Sequence, residues 1–408
     1  GALDSLTASS GNYNVALGIN AGTAITTGDN SIAIGFDALS TITDQSEIIA
    51  IGHEAGKNRT AASWSGGDTY IGTRAGSNIT SGSTNTAIGH EALRSEGGSG
   101  TGNNNTAIGY HSMKSGTVSG SFNVGVGGTS LQQVTSGSYN HAFGYQSLTK
   151  TNTGSYNIGM GMRSGQFITS GSRNILIGHE AGNGFDTESD NIAIGYDALG
   201  GAVEGAAGCV VIGNSAGDSI TSGTGQVIIG HQAGQTLETG GQNTIVGYNA
   251  GYFNTGTNNT IMGFRAMYAV SNSGTENVTV GYQSMRNATG SYNTAIGKDS
   301  LYGATGNKNI GIGYTAGNNI TSGNHNVVIG SADVTATGSD QLSISSGDGS
   351  PVWITGTSAG VVNIPGSLTV AGSAVGSGDV SKVGTPVNDQ VGVWTGDGTL
   401  EGTSKFTF

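Results

Sequence analysis

Thr80-Ser81-Gly82-Ser83-Thr84-Asn85-Thr86-Ala87-Ile88-Gly89 is the stretch whose reading decides the fold. Its second half, of the form Asn-x-Ala-Ile-Gly, recurs from Gly18 through Gly35, Gly52, Gly72 and Gly89 to Gly313 and Gly330. There are nineteen copies spaced 16 to 20 residues apart, about 17 on average. A fixed period of this length is the signature of a stacked architecture, because no single copy can bury its own apolar face. With the glycine as position 0, position −1 is large and apolar throughout and −3 is mostly Val, Ile or Thr. That alternation is the period-two pattern of a strand, and it predicts −1 and −3 on the core face. Position −2 is Ala or Gly in eleven copies. The small residues at −2 and 0 are then expected on the opposite face, flat enough for another backbone to approach.

Positions further along each copy support a shared interior. Position +3 is Ala or Ser in the first eighteen copies, and +4 divides into nine Gly and nine Leu or Met. Where +4 is Gly, seven of nine copies place a large apolar residue at +7 (Ile25, Ile79, Ile168, Phe185, Ile220, Leu237, Ile320). Where +4 is large, only Ile42, Val134 and Val270 do so. This compensation is how a close-packed interior behaves. Asn occupies −4 in fourteen copies. It suits a corner and can form a ladder of stacked amides.

Composition excludes the main alternatives. The 408 residues include 76 Gly and only 3 Pro, without the Gly-X-Y period of collagen. Gly at this density also opposes long helices. Lys plus Arg is 14 against 26 Asp plus Glu, a net charge of −12, so nucleic acid is not an expected partner. No apolar run has the length of a membrane span, and the lone Cys209 cannot form an intrachain disulfide.

The fold expected is therefore all-β: a parallel β-solenoid, a β-roll of about 19 coils of ~17 residues, over residues 11–330. A lead-in of residues 1–10 precedes it. A β-hairpin connector, 331–371, and a Gly/Ser linker with a C-terminal β segment, 372–408, follow, because the pattern fails at Asp333 and all three Pro residues lie beyond it.

The Asn-x-Ala-Ile-Gly coils over 11–330 resemble the head repeats of trimeric autotransporter adhesins, the YadA-like left-handed β-roll. The tail resembles distal segments of tailed-phage fibres, which often precede a self-cleaving folding chaperone. The residues that carry this second resemblance are Asn363-Ile364-Pro365-Gly366-Ser367-Leu368-Thr369-Val370 and Gly384-Thr385-Pro386-Val387-Asn388-Asp389-Gln390-Val391-Gly392-Val393-Trp394. The coils are longer than the adhesin repeat, and no signal, coiled-coil stalk, membrane anchor or chaperone is read in the chain. These features favour the phage-type fibre. The resemblance implies a homotrimer. With the small −2 and 0 face it nominates Ala87, Gly89, Ala107, Gly109, Ala295 and Gly297 as subunit-interface residues.

Candidate sites are few. Gly311-Ile312-Gly313-Tyr314-Thr315-Ala316 matches a dinucleotide fingerprint but lacks the βαβ context. Asp186, Glu188 and Asp190 resemble part of a calcium loop, against the simpler reading of a solvated acidic corner. Position +1 is aromatic or His in twelve coils, either as a stacked ladder at an edge or seam or as a platform for glycans. On that row a metal would need the same His from neighbouring subunits. Trp64, in an inserted segment at 61–67, and Tyr110, Tyr145, Tyr196 and Tyr248 on the +1 row are the receptor-contact candidates. A second insertion lies at 95–100. No catalytic grouping stands out and no cofactor is expected. The functional expectation is a non-enzymatic rod segment of a virion tail fibre that spaces or presents binding to a host glycan or protein receptor, alongside other fibre or virion proteins. A bacterial surface adhesin or extracellular filament subunit is the alternative.

Overall fold

The computed structural model describes residues 12–60, 66–201, 205–269 and 273–365, together with the backbone of four short strands at 368–370, 373–375, 392–395 and 399–402. Nineteen three-residue strands, from β1 (Val15–Leu17) to β19 (Val327–Ile329), each supply positions −3, −2 and −1 of one coil. Every strand pairs in parallel with its counterpart in the next coil, so that each position stacks on its own equivalent, as in Val15 on Ile32, Ala16 on Ala33 and Leu17 on Ile34. At ~4.8 Å per step, eighteen steps make a rod on the order of 90 Å long. No helix occurs among the described residues. The fingerprint-like Gly311–Ala316 lies on one more strand and its turn.

The parallel stack runs one step beyond the boundary read at residue 330. Strand β20 (Leu342–Ser345) pairs in parallel with β19, and the Gln341 N–H donates to Asn326 Oδ1 at 2.9 Å, as the Asn of a regular coil would. Only then does the pairing turn antiparallel, through β21 (Val352–Gly356) and β22 (Val362–Asn363). The expected linker at 372–378 is part strand: Ser373–Val375 pairs antiparallel with Leu368–Val370, while the rest of it and most of the fibre-like tail segment at 384–394 lie outside the described residues.

The strand faces are the reverse of the sequence expectation. Ala87, Ala107 and Ala295 at −2 are fully buried inside the single chain. Ile88 and Ile296 at −1 are exposed by 37% and 39%. The reason is the thinness of the coil. Position −2 faces +3 and +4 across a narrow interior, as the Ser112, Ser147 and Ser300 hydroxyls at +3 show by donating to the carbonyls of Gly125, Gly159 and Gly311 at 2.9, 2.9 and 2.7 Å. The interior therefore trades volume three ways. Large residues at −2 such as Tyr70, Leu176, Ile228 and Ile245 sit between coils whose +4 residue is Gly. A Cβ on Gly165 would come within 2.5 Å of Leu176, and one on Gly56 within 3.0 Å of Tyr70. The +4/+7 compensation also holds, with Ile25, Ile79, Ile168, Phe185, Ile220, Leu237 and Ile320 all in the core.

Each coil turns on left-handed backbone. The glycine at position 0 has φ near +130° in coil after coil, for example +132° at Gly89. A Cβ on Gly89 would strike the Gly109 carbonyl oxygen at 2.6 Å, so conformation and stacking both require glycine there. Positions −5 and +2 are left-handed too, in most coils without being glycine, as at Tyr139 (φ 59°) and Glu180 (φ 57°). Each such residue costs about 1 kcal/mol, which the repeated inter-coil hydrogen bonds offset.

The Asn at −4 does more than stack. Asn140 Oδ1 accepts the Asn157 N–H at 3.0 Å, while its Nδ2 donates to the Gly154 carbonyl at 2.8 Å. The same pattern runs through Asn85, Asn105, Asn123, Asn157, Asn174 and Asn191. It resumes from Gln226 to Asn243 and onward to Asn326. Cys209 takes the amide's place in between, its thiol facing the Gly223 carbonyl at 3.3 Å.

The two coils that break the +7 rule bury polar groups instead. Arg59 and Asn254 at +7 are fully buried. Arg59 pairs with Asp68 at 2.7 Å and donates to Gln45 Oε1 at 2.5 Å and to the Tyr70 hydroxyl at 3.1 Å. Burial pushes the Asp68 carboxyl up to about 6 against the opposing pull of Arg59.

Two outcomes are expected from denaturation with amide hydrogen exchange. Asn140→Ala strands a buried N–H and a buried C=O and should cost about 2–4 kcal/mol, with exchange fastest at Asn157, whereas Cys209→Asn should rejoin the ladder and stabilise the chain. Arg59→Ile alone leaves the Asp68 carboxylate buried without its cation and should cost about 3–5 kcal/mol. Adding Asp68→Asn restores the residues of the regular coil and should recover most of that loss.

Candidate functional site

The outward face of the long sheet is the most unusual surface of the molecule. Positions −3 and −1 of the nineteen strands point outward, and none is Asp, Glu, Lys or Arg; His141 is the one titratable residue among them. Ile71, Ile88, Ile229, Ile296, Ile312 and Ile329 are each more than a third exposed, with Met160, Met262 and Phe143 in the same rank. The −1 rank is apolar throughout and the −3 rank is Val, Ile or Thr apart from His141; ~7 Å apart along the full rod, they amount to an uncharged, mostly apolar strip on the order of 800 Å², beyond what soluble monomers ordinarily leave bare. The nominated Ala87, Ala107 and Ala295 cannot contribute side chains to a subunit contact, since they are closed inside the coil. Gly89, Gly109 and Gly297 are partly accessible and form the hinge row beside the Ile rank.

Beside this face runs the aromatic column at +1. Tyr248 stacks between His231 and Phe264 with ring centroids 5.0 and 5.4 Å apart. Phe264 continues onto Tyr282 at 5.2 Å. Lys298 then lies over both Tyr282 and Tyr314, at 5.7 and 5.3 Å from their centroids. Tyr196 stacks on His179 at 5.2 Å, and Tyr110 packs with His90 and His111 in a three-ring cluster. Tyr145 leans over the space above Gly128, where a Cβ would meet its ring at 3.3 Å. The ladder expected at +1 is thus present in separate runs, Phe36–His53, His90–Tyr110, His179–Tyr196 and His231 to Tyr282. Tyr145 and Tyr314 stack on no ring among the described residues and stand exposed. Trp64 lies outside the described residues. The second insertion stays in the stack, since Ser95 and Gly100 form parallel bridges to Ser115 and Ile79.

Sequence reading missed a second stack at −5. Phe122, Tyr139 and Tyr156 lie ring on ring at 4.9 Å with planes within 7°. The signal was available as an aromatic residue one place before the ladder Asn in three successive coils.

Column +2 carries charge, and neighbouring coils mostly answer it. Lys57 Nζ bridges Glu54 and Asp37 at 2.7 and 2.9 Å, and Arg74 reaches Glu54 and Glu91 at 2.8 and 3.3 Å. Glu91 also takes Arg94 at 2.6 Å, Lys114 at 2.7 Å and His111 at 3.1 Å. The Lys57 and Arg74 hydrogen bonds hold Glu54 down at about 2. Burial works to raise Glu91, yet Lys114, Arg94 and Arg74 outweigh it and bring it to about 2 as well. The pattern changes at Asp197. Burial, then the adjacent Glu180 carboxylate, pushes Asp197 above its ordinary range, and burial with Asp197 does the same to Asp218.

The calcium-like triplet does not converge. Glu188 accepts the backbone N–H groups of Asp186, Thr187 and Gly205. Asp190 is held by Arg173, and Asp186 accepts from the Thr169 hydroxyl. Each carboxylate serves a different partner, as a structural corner would.

Comparison with protein-family models, with curated proteins and with solved structures finds no match to this chain.

The charged column has a signature in pH. Glu54 and Glu91 titrate lower in the fold than in the unfolded chain, so their stabilisation is complete above about 4.5 and lost as pH falls toward 2. Asp68 titrates higher in the fold, so its contribution weakens the fold as pH rises from ordinary carboxylate values through about 6. The charged column therefore predicts a melting temperature that falls as pH drops from about 4.5 toward 2. Glu91→Gln should flatten the acid limb in a melting-temperature profile.

Proposed function

We propose that this chain is a passive rod segment of a homotrimeric fibre, with the exposed Ile/Val ranks of three copies packed together. The observation that carries the reading is the uncharged outward sheet face of a chain whose net charge is −12. Such a face is stable in water when covered, and its regular repeat over nineteen coils fits a partner with the same repeat, of which another copy of the chain is the simplest. The charged and aromatic columns at +2 and +1 would then stay outside, where they staple one coil to the next.

A rod of identical coils supplies length and stiffness, so its role is to space or present a receptor-binding element. The fibre-like tail segment supports a tailed-phage particle as the site of action, with other fibre proteins as neighbours and a host-surface glycan or protein as the distant target. The resemblance of the coils to trimeric adhesin heads supports a second reading, a cell-surface adhesin or extracellular filament subunit. Neither reading needs a cofactor, catalysis or nucleic acid, and no helix among the described residues is long and apolar enough to cross a membrane.

The test is the mass of the particle in sedimentation. The unmodified chain should sediment as a trimer at micromolar concentration. Combined Ile88→Asp, Ile229→Asp and Ile296→Asp should give monomers with the same circular dichroism, because those side chains lie on the outward face, each more than a third exposed. An unmodified chain that sediments as a monomer would contradict the proposal.

A further inference from the structure

Three coils carry the same four residues from position 0: Gly52-His53-Glu54-Ala55, Gly89-His90-Glu91-Ala92 and Gly178-His179-Glu180-Ala181. They form an internal comparison, because the same backbone presents the same His and Glu to three different neighbouring coils. In the first, the Glu54 carboxylate and the Asp37 carboxylate one coil before it share the Lys57 ammonium, at 2.7 and 2.9 Å. In the second, Lys114 and Arg94 approach Glu91 at 2.7 and 2.6 Å. Lys57 and Lys114 stand at the same place, five residues after the coil glycine.

The third copy repeats the carboxylate pair of the first, with Glu180 and Asp197 in consecutive coils, but not the ammonium. Five residues after Gly195 stands Gly200. Asp218, in the next coil, holds its Oδ1 3.3 Å from where a Gly200 Cβ would be, so a third carboxylate borders the space the lysine would enter. Arg163 reaches Glu180 from the opposite side, at 3.0 Å. His179 Nδ1 is buried and makes no hydrogen bond, and it lies 3.9 Å from Glu180 Oε2. The imidazole is fixed by its stack on Tyr196, with planes 8° apart. One donor atom from each of His179, Glu180 and Asp197 lies within 4.8 Å of the others.

We propose that His179, Glu180 and Asp197 form a binding site for a divalent transition-metal ion of the zinc class, which takes the place that a lysine ammonium fills in the sister coils. One imidazole nitrogen and two carboxylates suit zinc, with water as the fourth ligand, and the nitrogen disfavours calcium and magnesium. Ligands on a tetrahedral zinc stand ~3.3 Å apart, so small side-chain rotations close the site. All three ligands come from one chain and two adjacent coils. The ion would therefore staple coil to coil whether or not the chain assembles. The cluster His90, Glu91 and His111 has similar spacing, yet Arg74, Arg94 and Lys114 already neutralise its carboxylate and repel a cation.

The test is calorimetric titration of the full chain, stripped with a chelator, with zinc chloride, and with calcium and magnesium chloride in parallel. One zinc per chain is expected, with affinity weakened at least roughly tenfold, or about 1.4 kcal/mol, by His179→Gln and by Asp197→Asn. Gly200→Lys should abolish zinc binding and raise the metal-free melting temperature, as the ammonium itself bridges the pair. Circular dichroism confirms that each variant is folded. No zinc binding up to about 1 mM, or binding that survives all three substitutions, would overturn the proposal. Calcium or magnesium bound as tightly as zinc through the same residues would overturn the metal assignment.

Discussion

Parallel pairing of each coil with its own copy is the constraint on which everything else depends. At ~4.8 Å per step, whatever side chain a position carries meets the same position above and below it. Apolar residues satisfy this rule directly, and so do flat rings and carboxamides. Asn at −4 answers it best, because one side chain accepts from the backbone of its equivalent and donates to a carbonyl of the next coil. The buried amides thereby close the polar accounts of a corner that no water reaches.

Charges answer the rule less easily, and the structure shows how. A carboxylate stacked on a carboxylate repels, so the +2 column places Arg74 between Glu54 and Glu91 and inserts Lys57 between Asp37 and Glu54. These bridges join successive coils of the rod where its surface is most polar. The Glu180–Asp197 step, where Arg163 reaches only Glu180 of the two and no ammonium bridges the pair, stands out against that background, and a bound cation would bring it into line.

Much of this was legible in sequence because the constraint writes itself into the period. The coil count, the parallel stack, the Asn ladder, the +4/+7 compensation and the aromatic column follow from which residue types recur at a fixed distance. The direction of the strand did not. Alternation separates two faces but does not say which is inside, and the larger apolar residues at −1 and −3 pointed to the wrong one. Leu176 between Gly165 and Gly182, and Tyr70 between Gly56 and Gly76, carried the missing information, because only an interior position must trade volume with +4. Arg59 and Asp68 were hidden for another reason. Each looks like a surface charge until the coil closes and brings them together. The metal-site candidate likewise depends on residues 17 apart along the chain and on the absence of a side chain at Gly200, which no motif records.

The account's central claim is that the outward Ile and Val ranks are the buried seam of a three-chain rod. Electron cryomicroscopy of the purified full chain tests it most directly. The claim predicts three rods side by side about a threefold axis, with Ile88, Ile229 and Ile296 facing that axis and the stacked rings of Tyr248, Phe264 and Tyr282 on the outside. A single rod with its strand face open to solvent, or an assembly joined through the aromatic columns instead, would contradict it.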